Sequence, residues 1–448
     1  MYISCWFCVM ESQQNGPLCL KNEPKIVIIG AGISGLAAAE HLAKSGFSDF
    51  VILEASGRTG GRIYTVELDT ENGQKIEMGA NWIHGVERNP IFQIAEENNL
   101  LQLRHGDKGL RHRNIYVTES GEEANERIVN QVNLIYGQLI INAEDFFQSG
   151  IPTLEENDSV GAYLEREFEE KMERYKNGDK RIRELIFNQR KLLECCISGC
   201  DSLDDVSLSE FGGYEELPGV HYTIPPGFSE VLEIIKKKIP KGSIKLNQAV
   251  RSVNWNRKHS GDNQYEISVQ CENGEIFYAN HVICTVSLGV LKAACDRMFN
   301  PSLPTEKLQA IDRIGFGIVD KVILHFDEAI TEPDVFRLEL LWDSDNVEIN
   351  DLRHTWYRKI YSFEIIYDNV LVVSHFCAHI KVCQILNVVM FPELYIVHSC
   401  MFIIAWLSGK EALYMESLTE EQVGQDLVEV LKKILRKTDI PQPSKVTR

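Results

Sequence analysis

Short apolar runs alternate with amphipathic stretches along the chain. Lys25–Ile29 and Phe50–Leu53 have the length and the branched residues of buried strands, and Leu36–Lys44 between them is rich in helix formers. Further along, His281–Leu291 has the pattern of another buried strand that enters a turn. Leu418–Lys437 is amphipathic, with apolar residues at helical spacing. The order strand, helix, strand near the start predicts an α/β unit.

The loop between the first strand and the first helix is rich in glycine. Gly30, Gly32 and Gly35 form the pattern G-x-G-x-x-G, and Glu54 follows the second strand, 19 positions after Gly35. In a dinucleotide-binding unit such glycines allow a tight turn, close approach of a pyrophosphate and close helix packing, and the helix N-terminus binds phosphate. We therefore predict a dinucleotide site rather than a purely structural glycine turn. The predicted contacts are Gly30, Gly32, Ile33, Ser34, Gly35, Glu54 and Ala55.

Nine residues from Glu54 onward narrow the choice of dinucleotide. Glu54–Arg62 reads E-A-S-G-R-T-G-G-R and matches the pattern E-x-x-x-R-x-G-G-R. This segment resembles the extended fingerprint of the FAD-dependent amine oxidase family, in which the loop lies along the pyrophosphate and the flavin. The resemblance implies that FAD is the cofactor and that Arg58, Gly60, Gly61 and Arg62 contact it, with both guanidinium groups offsetting phosphate charge. The alternative is that the two arginines are solvated loop charges.

A second glycine-bracketed turn presents an aromatic ring and an imidazole. Gly79–Gly85 reads G-A-N-W-I-H-G, and here the chain resembles the polyamine oxidases of the amine oxidase family. In those proteins the turn runs beside the flavin, which implies cofactor contacts for Gly79, Ala80, Asn81 and Trp82 and a substrate-facing position for His84. Without the resemblance, a lone histidine is more often structural. The same resemblance places the backbone of Val250 against the adenine.

Two charged residues interrupt apolar segments. Glu194 lies within LLECCISG and Lys321 within IGFGIVDKVILHF, and a buried charge of this kind must be paired or face a cavity. In the polyamine oxidases the matching glutamate meets a substrate ammonium, and the matching lysine holds a water against the flavin. The resemblance therefore predicts Lys321, His84 and Glu194 as active-site residues. The alternatives are a structural ion pair for Glu194 and a strand-end lysine for Lys321. We interpret Cys195 and Cys196 as packing residues.

The resemblance also implies a reaction. It predicts FAD-dependent oxidation of polyamines such as spermine and spermidine, in which a hydride passes from a carbon beside a secondary amine to the flavin. The products would be an aldehyde or aminoaldehyde, a shorter amine and hydrogen peroxide formed from oxygen. The net charge of −19 favours cationic ligands and argues against nucleic acid as a partner.

Composition indicates the compartment and the class of protein that we expect. Twelve cysteines in 448 residues are too dilute for a disulfide scaffold, and we expect reduced thiols, no metal site and a cytoplasmic location. The hydrophobic content of 44% and the charged content of 25% are those of a soluble globular protein. We expect a monomer that does not bind membranes. The short apolar start of the chain lacks a basic region and is a poor signal peptide.

The chain is too long for one ordinary core. The resemblance implies a Rossmann-like FAD-binding domain interleaved with an α+β substrate-binding domain. We predict an N-terminal appendage at residues 1–24, the FAD-binding domain at 25–85 and 225–305, and the substrate-binding domain at 86–224 and 306–448. Ser374–Ile404 has no counterpart in the family, and we interpret it as an aberrant insert that adds exposed or misplaced hydrophobic surface. The alternatives are a membrane-spanning helix and a Cys/His metal site.

The chain stops at Arg448, before the last strand and helix that the cofactor domain has in the family. We therefore expect an unpaired sheet edge beside Lys25–Ile29 and weak binding of FAD. The alternative to an active oxidase is a truncated form of such an enzyme that has no turnover.

Overall fold

The computed structural model describes residues 23–67, 73, 75–101, 113–150, 158–255, 265–332, 334–343, 351–374 and 394–448. Almost all of the predicted N-terminal appendage lies outside these ranges. Within them, none of the helices combines the length and the apolar character that a membrane crossing requires.

The strands are β1 (Ile26–Ile29), β2 (Phe50–Leu53), β3 (Thr65–Glu67), β4 (Lys75–Glu77), β5 (Arg113–Thr118), β6 (Ile244–Lys245), β7 (Val250–Asn254), β8 (Ile267–Cys271), β9 (Ile276–Ala279), β10 (His281–Cys284), β11 (Phe299–Asn300), β12 (Val319–Phe326), β13 (Val335–Leu341), β14 (Ser362–Ser374), β15 (Leu394–Ser408) and β16 (Lys445–Thr447). The helices are α1 (Ile33–Lys44), α2 (Pro90–Glu97), α3 (Glu126–Ser149), α4 (Val160–Met172), α5 (Asn177–Ser198), α6 (Leu208–Phe211), α7 (Ser229–Lys236), α8 (Leu288–Met298), α9 (Thr305–Arg313), α10 (Leu352–Thr355), α11 (Gly409–Glu416) and α12 (Glu420–Leu435). Single 3-10 turns are formed by Leu203–Asp205 and Trp356–Lys359.

The chain forms two compact units, each made of two separated pieces. The first unit comprises Met1–His105 and Glu216–Phe316, and the second comprises Gly106–Glu215 and Gly317–Arg448. The predicted boundaries after residues 85, 224 and 305 fall here after residues 105, 215 and 316. One reason is that α2 buries Ala95 in the core of the first unit, and another is that α9 packs beside α8.

The first unit is built on a parallel sheet with the strand order β10-β1-β2-β6. Side chains of β1 alternate between its faces: Ile26 and Ile28 pack with α1 and α7, and Val27 and Ile29 pack with the sheet that contains β7, β8 and β9. Burial on both faces explains why β1 has an uninterrupted apolar sequence. Because β1 pairs with β2 on one side and β10 on the other, the expected unpaired edge beside β1 is wrong.

The second unit contains a six-stranded sheet in the order β16-β12-β15-β14-β13-β5. Helix α12 covers this sheet with the apolar face that the sequence predicts, and Val423, Leu427 and Leu431 are fully buried in the same core as β12 and β15. Helices α3, α4 and α5 enclose a second core. The unit is therefore an α+β structure in which the sheet presents β12 and β15 as neighbours.

Part of the segment that we interpret as an insert belongs to this sheet. Strand β15 pairs with β12 on one side and β14 on the other. Met401, Phe402, Ile403 and Ile404 are all at most 6% exposed. For these residues the expected exposure of hydrophobic surface is wrong, because pairing on both sides places them in the core. Residues 375–393 of the segment lie outside the described residues.

The sheet also buries a carboxyl group whose protonation couples to stability. Glu339 on β13 is 4% exposed, and the Gln189 amide donates to its Oε2 at 2.6 Å. Burial raises the pKa of Glu339 to about 7, the nearby Glu364 adds to the rise, and Arg337 and Arg190 oppose it. Between the ordinary value of 4.5 and about 7, the folded chain therefore holds a proton that the unfolded chain releases.

We expect the unfolding free energy to fall as the pH rises through this window, by at most on the order of 3 kcal/mol from Glu339. The Glu339→Gln variant should show a smaller drop in melting temperature between pH 5 and pH 8 than the parent. Glu328→Gln, at an exposed position, is the matched control. An identical pH dependence in the Glu339 variant and the parent would show that this carboxyl group ionises as readily in the folded chain as in the unfolded one.

Candidate functional site

The glycine loop after β1 has the conformation that the motif predicts. Gly30 has φ +102, a left-handed value that favours glycine, and its N–H donates to the Leu53 carbonyl at 2.8 Å. A Cβ on Gly35 would lie 1.9 Å from the Gly30 oxygen, so only glycine lets α1 approach β1 this closely. Gly32 precedes the first turn of α1, which contains Ile33 and the exposed Ser34.

The N-terminus of α1 is suited to an anion. Among the described residues, no side chain caps this helix, and its first turn contains no acidic residue. A Cβ on Gly32 would meet nothing within 4 Å, which leaves open space beside the loop. Backbone N–H groups at a helix N-terminus together with the helix dipole attract phosphate. These features fit the pyrophosphate of the predicted dinucleotide.

Glu54 holds the glycine loop as well as standing at the predicted ribose position. Its Oε2 accepts from the Ala31 backbone N–H at 2.8 Å, and its Oε1 accepts from the N–H and the hydroxyl of Ser56 at 2.9 Å. A carboxylate has room for further hydrogen bonds, so these contacts leave acceptor capacity for a ribose hydroxyl. The sequence motif does not indicate that Glu54 connects the loop after β1 with the loop after β2 through these hydrogen bonds.

The glycine–arginine loop lies directly against the first glycine loop. The Gly60 N–H donates to the Ala31 carbonyl at 2.9 Å, and Gly60 forms a bridge with Gly32. Gly61 is equally close, since a Cβ built on it would lie 3.7 Å from the Cα of Gly32. The two glycine-rich segments therefore form one continuous surface at the end of β1.

The two arginines of this loop differ in their contacts. The Arg58 guanidinium donates to the carbonyls of Gly61 at 2.8 Å and Ile63 at 3.4 Å, and it lies 4.1 Å from the centre of the Tyr64 ring. Arg58 therefore stabilises the conformation of its own loop. The sequence predicted a phosphate contact for Arg58 and not this structural role. The side chain of Arg62 is exposed and carries its charge beside the same loop.

The segment with Gly79, Ala80, Asn81 and Trp82 joins this surface. The Met78 N–H donates to the Tyr64 carbonyl at 2.8 Å, and the Ala80 N–H donates to the Arg62 carbonyl at 3.1 Å. A Cβ on Gly79 would lie 1.8 Å from the Arg62 oxygen, so glycine is required at this contact. Asn81 and Trp82 are half-buried and continue from it.

The residues just before Val250 contact the loop that contains Glu54. The Gln248 N–H donates to the Glu54 carbonyl at 2.7 Å, and the Asn247 N–H donates to the Ser56 carbonyl at 3.0 Å. Val250, the first residue of β7, lies two residues after Gln248 and is half-buried. All the predicted cofactor segments of the first unit thus meet at the carboxyl ends of β1 and β2, where parallel sheets bind dinucleotides.

His84 lies on a turn that distant residues hold in place. Ile83 and Tyr222 exchange two backbone hydrogen bonds of 2.8 and 3.0 Å. The Asn89 amide donates to the carbonyls of His84 and Gly85, both at 3.0 Å, and the Gly85 N–H donates to His221 Nδ1 at 3.2 Å. The turn is therefore fixed on both sides of the imidazole.

Two residues that the sequence did not single out lie beside His84. The rings of His84 and His221 are 5.0 Å apart, and His221 Nε2 is 3.3 Å from a Glu216 carboxylate oxygen. Burial and the His221 ring lower the pKa of His84, while Glu216 opposes this shift. The lowered pKa favours the neutral imidazole, which can exchange hydrogen bonds with an amine.

The same three side chains have ligand atoms within 4.8 Å of one another, a spacing that a metal ion could use. The hydrogen bond from Gly85 to His221 Nδ1, however, places the ring proton on Nε2, the nitrogen that faces Glu216. That proton favours a hydrogen bond to the carboxylate rather than a metal bond. No motif in the sequence connects Glu216 and His221 with His84.

Lys321 lies in β12 of the second unit, inside the apolar strand that the sequence predicts. It is 7% exposed, and the following residues Val322, Ile323 and Leu324 are buried. Its partner across the strand pair is Trp406 on β15, and the ammonium lies 4.4 Å from the centre of that indole ring. A cation over an aromatic face gains electrostatic stabilisation, which offsets part of the cost of burying the charge.

Glu194 lies in the last turns of α5 in the same unit. The Ser198 hydroxyl donates to its Oε1 at 3.3 Å. Burial raises the pKa of Glu194, the Ser198 hydrogen bond and the Arg190 charge lower it, and Glu144 raises it further. The net rise means that the ionised carboxylate is poorly compensated, so a bound cation would stabilise it.

The end of α5 lies at the end of the sheet that carries Lys321. The Ser408 hydroxyl lies against the Cys196 thiol, and Ser408 pairs with Val319 at the start of β12. A Cβ on Gly317 would lie 1.8 Å from the Gly199 oxygen, which shows how closely the two segments pack. The second unit therefore packs the end of α5, which carries Glu194, against the start of β12, which carries Lys321, whereas His84 belongs to the first unit.

Comparison with known proteins gives consistent matches. A family model described as "Flavin containing amine oxidoreductase" matches residues 33–448. The "Peroxisomal N(1)-acetyl-spermine/spermidine oxidase" of Bos taurus is 31% identical over 450 residues, which cover 95% of this chain and 80% of that protein. The Homo sapiens protein of the same name matches with the same identity and coverage. "Probable polyamine oxidase 5" of Arabidopsis thaliana is 28% identical over 90% of this chain and 75% of its own.

Proposed function

Because the chain belongs to the family of flavin-containing amine oxidoreductases, we propose that it oxidises polyamines at a carbon next to an amine nitrogen. Spermine, spermidine and their N-acetyl derivatives form the substrate class. Oxidation gives an imine, which water hydrolyses to an aldehyde or aminoaldehyde and a shorter amine. The relatives named for acetyl-spermine, spermidine and polyamine oxidation support this substrate class.

Family membership confirms three predictions made from the sequence: the FAD cofactor, the oxidoreductase class and the amine oxidase fold. The residues at the carboxyl ends of β1 and β2 fit the cofactor. The N-terminus of α1 and the adjoining glycine loop would hold its pyrophosphate, and Glu54 would accept from its ribose. Bound FAD supplies a two-electron acceptor that oxygen regenerates with release of hydrogen peroxide.

The observation that carries the substrate proposal is the half-buried carboxylate of Glu194. A carboxylate whose pKa is raised by burial gains from a cation that enters its surroundings, and a polyamine has several ammonium groups. We infer that Glu194 binds one of them. The net charge of −19 attracts such cations from solution.

Lys321 and His84 have different tasks in this proposal. The buried Lys321 ammonium donates to a water near the reacting atoms and orients it. His84, neutral because its pKa is lowered, accepts a hydrogen bond from the amine without repelling it. Hydride loss requires the reacting nitrogen to be uncharged, so a neutral imidazole is better suited beside it than an imidazolium.

The test of the substrate proposal is peroxide formation by the purified chain with spermine, spermidine and N1-acetylspermine. In Glu194→Gln, loss of a charge-assisted hydrogen bond of about 1.5–3 kcal/mol should raise KM for the amine roughly tenfold to 100-fold. The turnover number at saturating amine should change much less, because Glu194 binds substrate equally in the ground and transition states.

Glu184→Gln is the matched control, since Glu184 lies on the same helix in an exposed pair with Lys180. We expect its KM to equal that of the parent. A normal KM in the Glu194 variant would assign Glu194 to a structural ion pair. Absence of peroxide with every polyamine from flavin-loaded protein would overturn the proposed substrate class.

A further inference from the structure

Helix α5 ends in a turn that brings two cysteines together. Gly199 adopts a left-handed conformation with φ +64, and the Cys200 N–H donates to the Cys195 carbonyl at 3.0 Å. This six-residue closure is that of a Schellman motif, in which the residue after the left-handed glycine contacts the side chain in the last full turn of the helix. The backbone therefore places the side chains of Cys195 and Cys200 against each other.

The two thiols differ in environment and share a hydrogen bond. Cys195 is 4% exposed within the core of α3, α4 and α5, whereas Cys200 is half-buried at its margin. The Lys359 ammonium, held at the end of the helix by the Asp201 carbonyl, adds positive charge beside them. Both thiols are unbridged in this structure.

The hydrogen bond between the two thiols favours one thiolate in the pair. The hydrogen bond from Cys200, the Lys359 charge and the Leu203 N–H together lower the pKa of Cys195 despite burial. The same hydrogen bond and burial raise the pKa of Cys200. A thiolate is the nucleophile in thiol oxidation, so whichever thiol of this hydrogen-bonded pair has lost its proton is the attacking group, and its partner, which keeps a proton, is the resolving group.

We propose that Cys195 and Cys200 form a reversible oxidation site, which hydrogen peroxide converts into a disulfide within the last turn of α5. The thiolate sulfur of the pair attacks one peroxide oxygen, the O–O bond breaks and hydroxide leaves, giving a sulfenic acid. The partner sulfur then forms the S–S bond, and the sulfenic oxygen leaves as water with the partner's proton. Two thiols lose two electrons, and one peroxide becomes two waters.

The source of the oxidant rests on the proposed function, since amine oxidation in this family releases hydrogen peroxide. The site lies one residue after Glu194, in the turn where Ser198 donates to that carboxylate. The modification would thus occur at the helix end that we propose for amine binding. The third cysteine of the segment, Cys196, differs: burial raises the pKa of its thiol to about 12, and it serves as the control.

The experiment adds hydrogen peroxide to the full-length holoenzyme without any amine, blocks remaining thiols with N-ethylmaleimide and maps disulfides by peptide mass spectrometry. We expect a peptide bridged between Cys195 and Cys200 that dithiothreitol opens again. The bridge should be absent in Cys195→Ser and in Cys200→Ser and should form at the parent rate in Cys196→Ser. If either serine variant fails to fold, the bridge in the parent protein decides the question alone.

Two results would overturn the site: Cys195 and Cys200 staying reduced while other cysteines oxidise, or Cys195 pairing with Cys196. Repeating the experiment with spermine and oxygen in place of added peroxide separates the site from the proposed function. A bridge that forms with added peroxide but not with spermine supports the oxidation site and removes only its proposed source of oxidant.

Discussion

Replacing Lys321 by methionine is expected to lower turnover about 100-fold while the fold remains intact. Methionine has a similar length and apolar character, so it fits the space between β12 and β15 that the lysine stem occupies. The change removes the ammonium, which is 7% exposed and lies 4.4 Å from the centre of the Trp406 ring. Without that donor, the water that we propose beside the reacting atoms is no longer oriented.

Stopped-flow absorbance distinguishes the affected step, because reduction by amine without oxygen and reoxidation by oxygen are measured separately. We expect at least one of these rates to fall and the melting temperature to stay near that of the parent, because methionine keeps the apolar packing of the lysine stem. Lys445→Met, on the neighbouring strand β16 at an exposed position, is the control. Normal rates together with a lowered melting temperature would make Lys321 a structural residue.

Replacing Glu54 by alanine is expected to weaken FAD binding by about 3 kcal/mol, which corresponds to a roughly 100-fold higher Kd. Part of this loss comes from the predicted charge-assisted bond to a ribose hydroxyl. The rest comes from the protein itself, because the carboxylate accepts from the Ala31 N–H and from Ser56 and thereby holds two loops together. The variant should consequently lose flavin during gel filtration.

The measurement is the ratio of flavin to protein absorbance after gel filtration, followed by titration of the stripped protein with FAD. Glu54→Gln tests the charge, since the amide keeps one acceptor but offers an N–H to a neighbour that is itself a donor. Glu96→Ala, at an exposed position of α2 in the same unit, is the control. Flavin retention equal to that of the parent in Glu54→Ala would remove Glu54 from the cofactor site.

Features that depend on local spacing were predictable from the sequence. The turn between Gly30 and Gly35 was predictable because the glycines stand in register with a strand before them and a helix after them, and the structure gives the physical reason, since a Cβ at Gly35 would collide with the Gly30 carbonyl. The apolar residues of α12 define its buried face through the helical period. The apolar residues on both sides of Lys321 favoured a buried charge over a strand-end lysine. In each case the physical cause acts between residues that are near in sequence.

Contacts between distant parts of the chain depended on the tertiary structure. The tie of Glu54 to Ala31, the approach of Gly79 to Arg62 and the pairing of His84 with His221 join residues 17 to 137 positions apart. The hydrophobic periodicity of the sequence does not predict these contacts, because they depend on the order of the strands in the sheets. The motifs identify the chemistry of these residues, and the fold supplies their partners.

The two expectations that failed have the same origin. The edge beside β1 is paired with β10, which returns from more than 230 positions later in the chain. Ile403 and Ile404 have the apolar character of an insert when read alone but lie between β12 and β14. Local sequence determined which segments of this protein are apolar, which are predicted to bind phosphate and which bear charge. Only tertiary pairing decided which of those segments are neighbours, because hydrogen bonding between strands is insensitive to their separation along the chain.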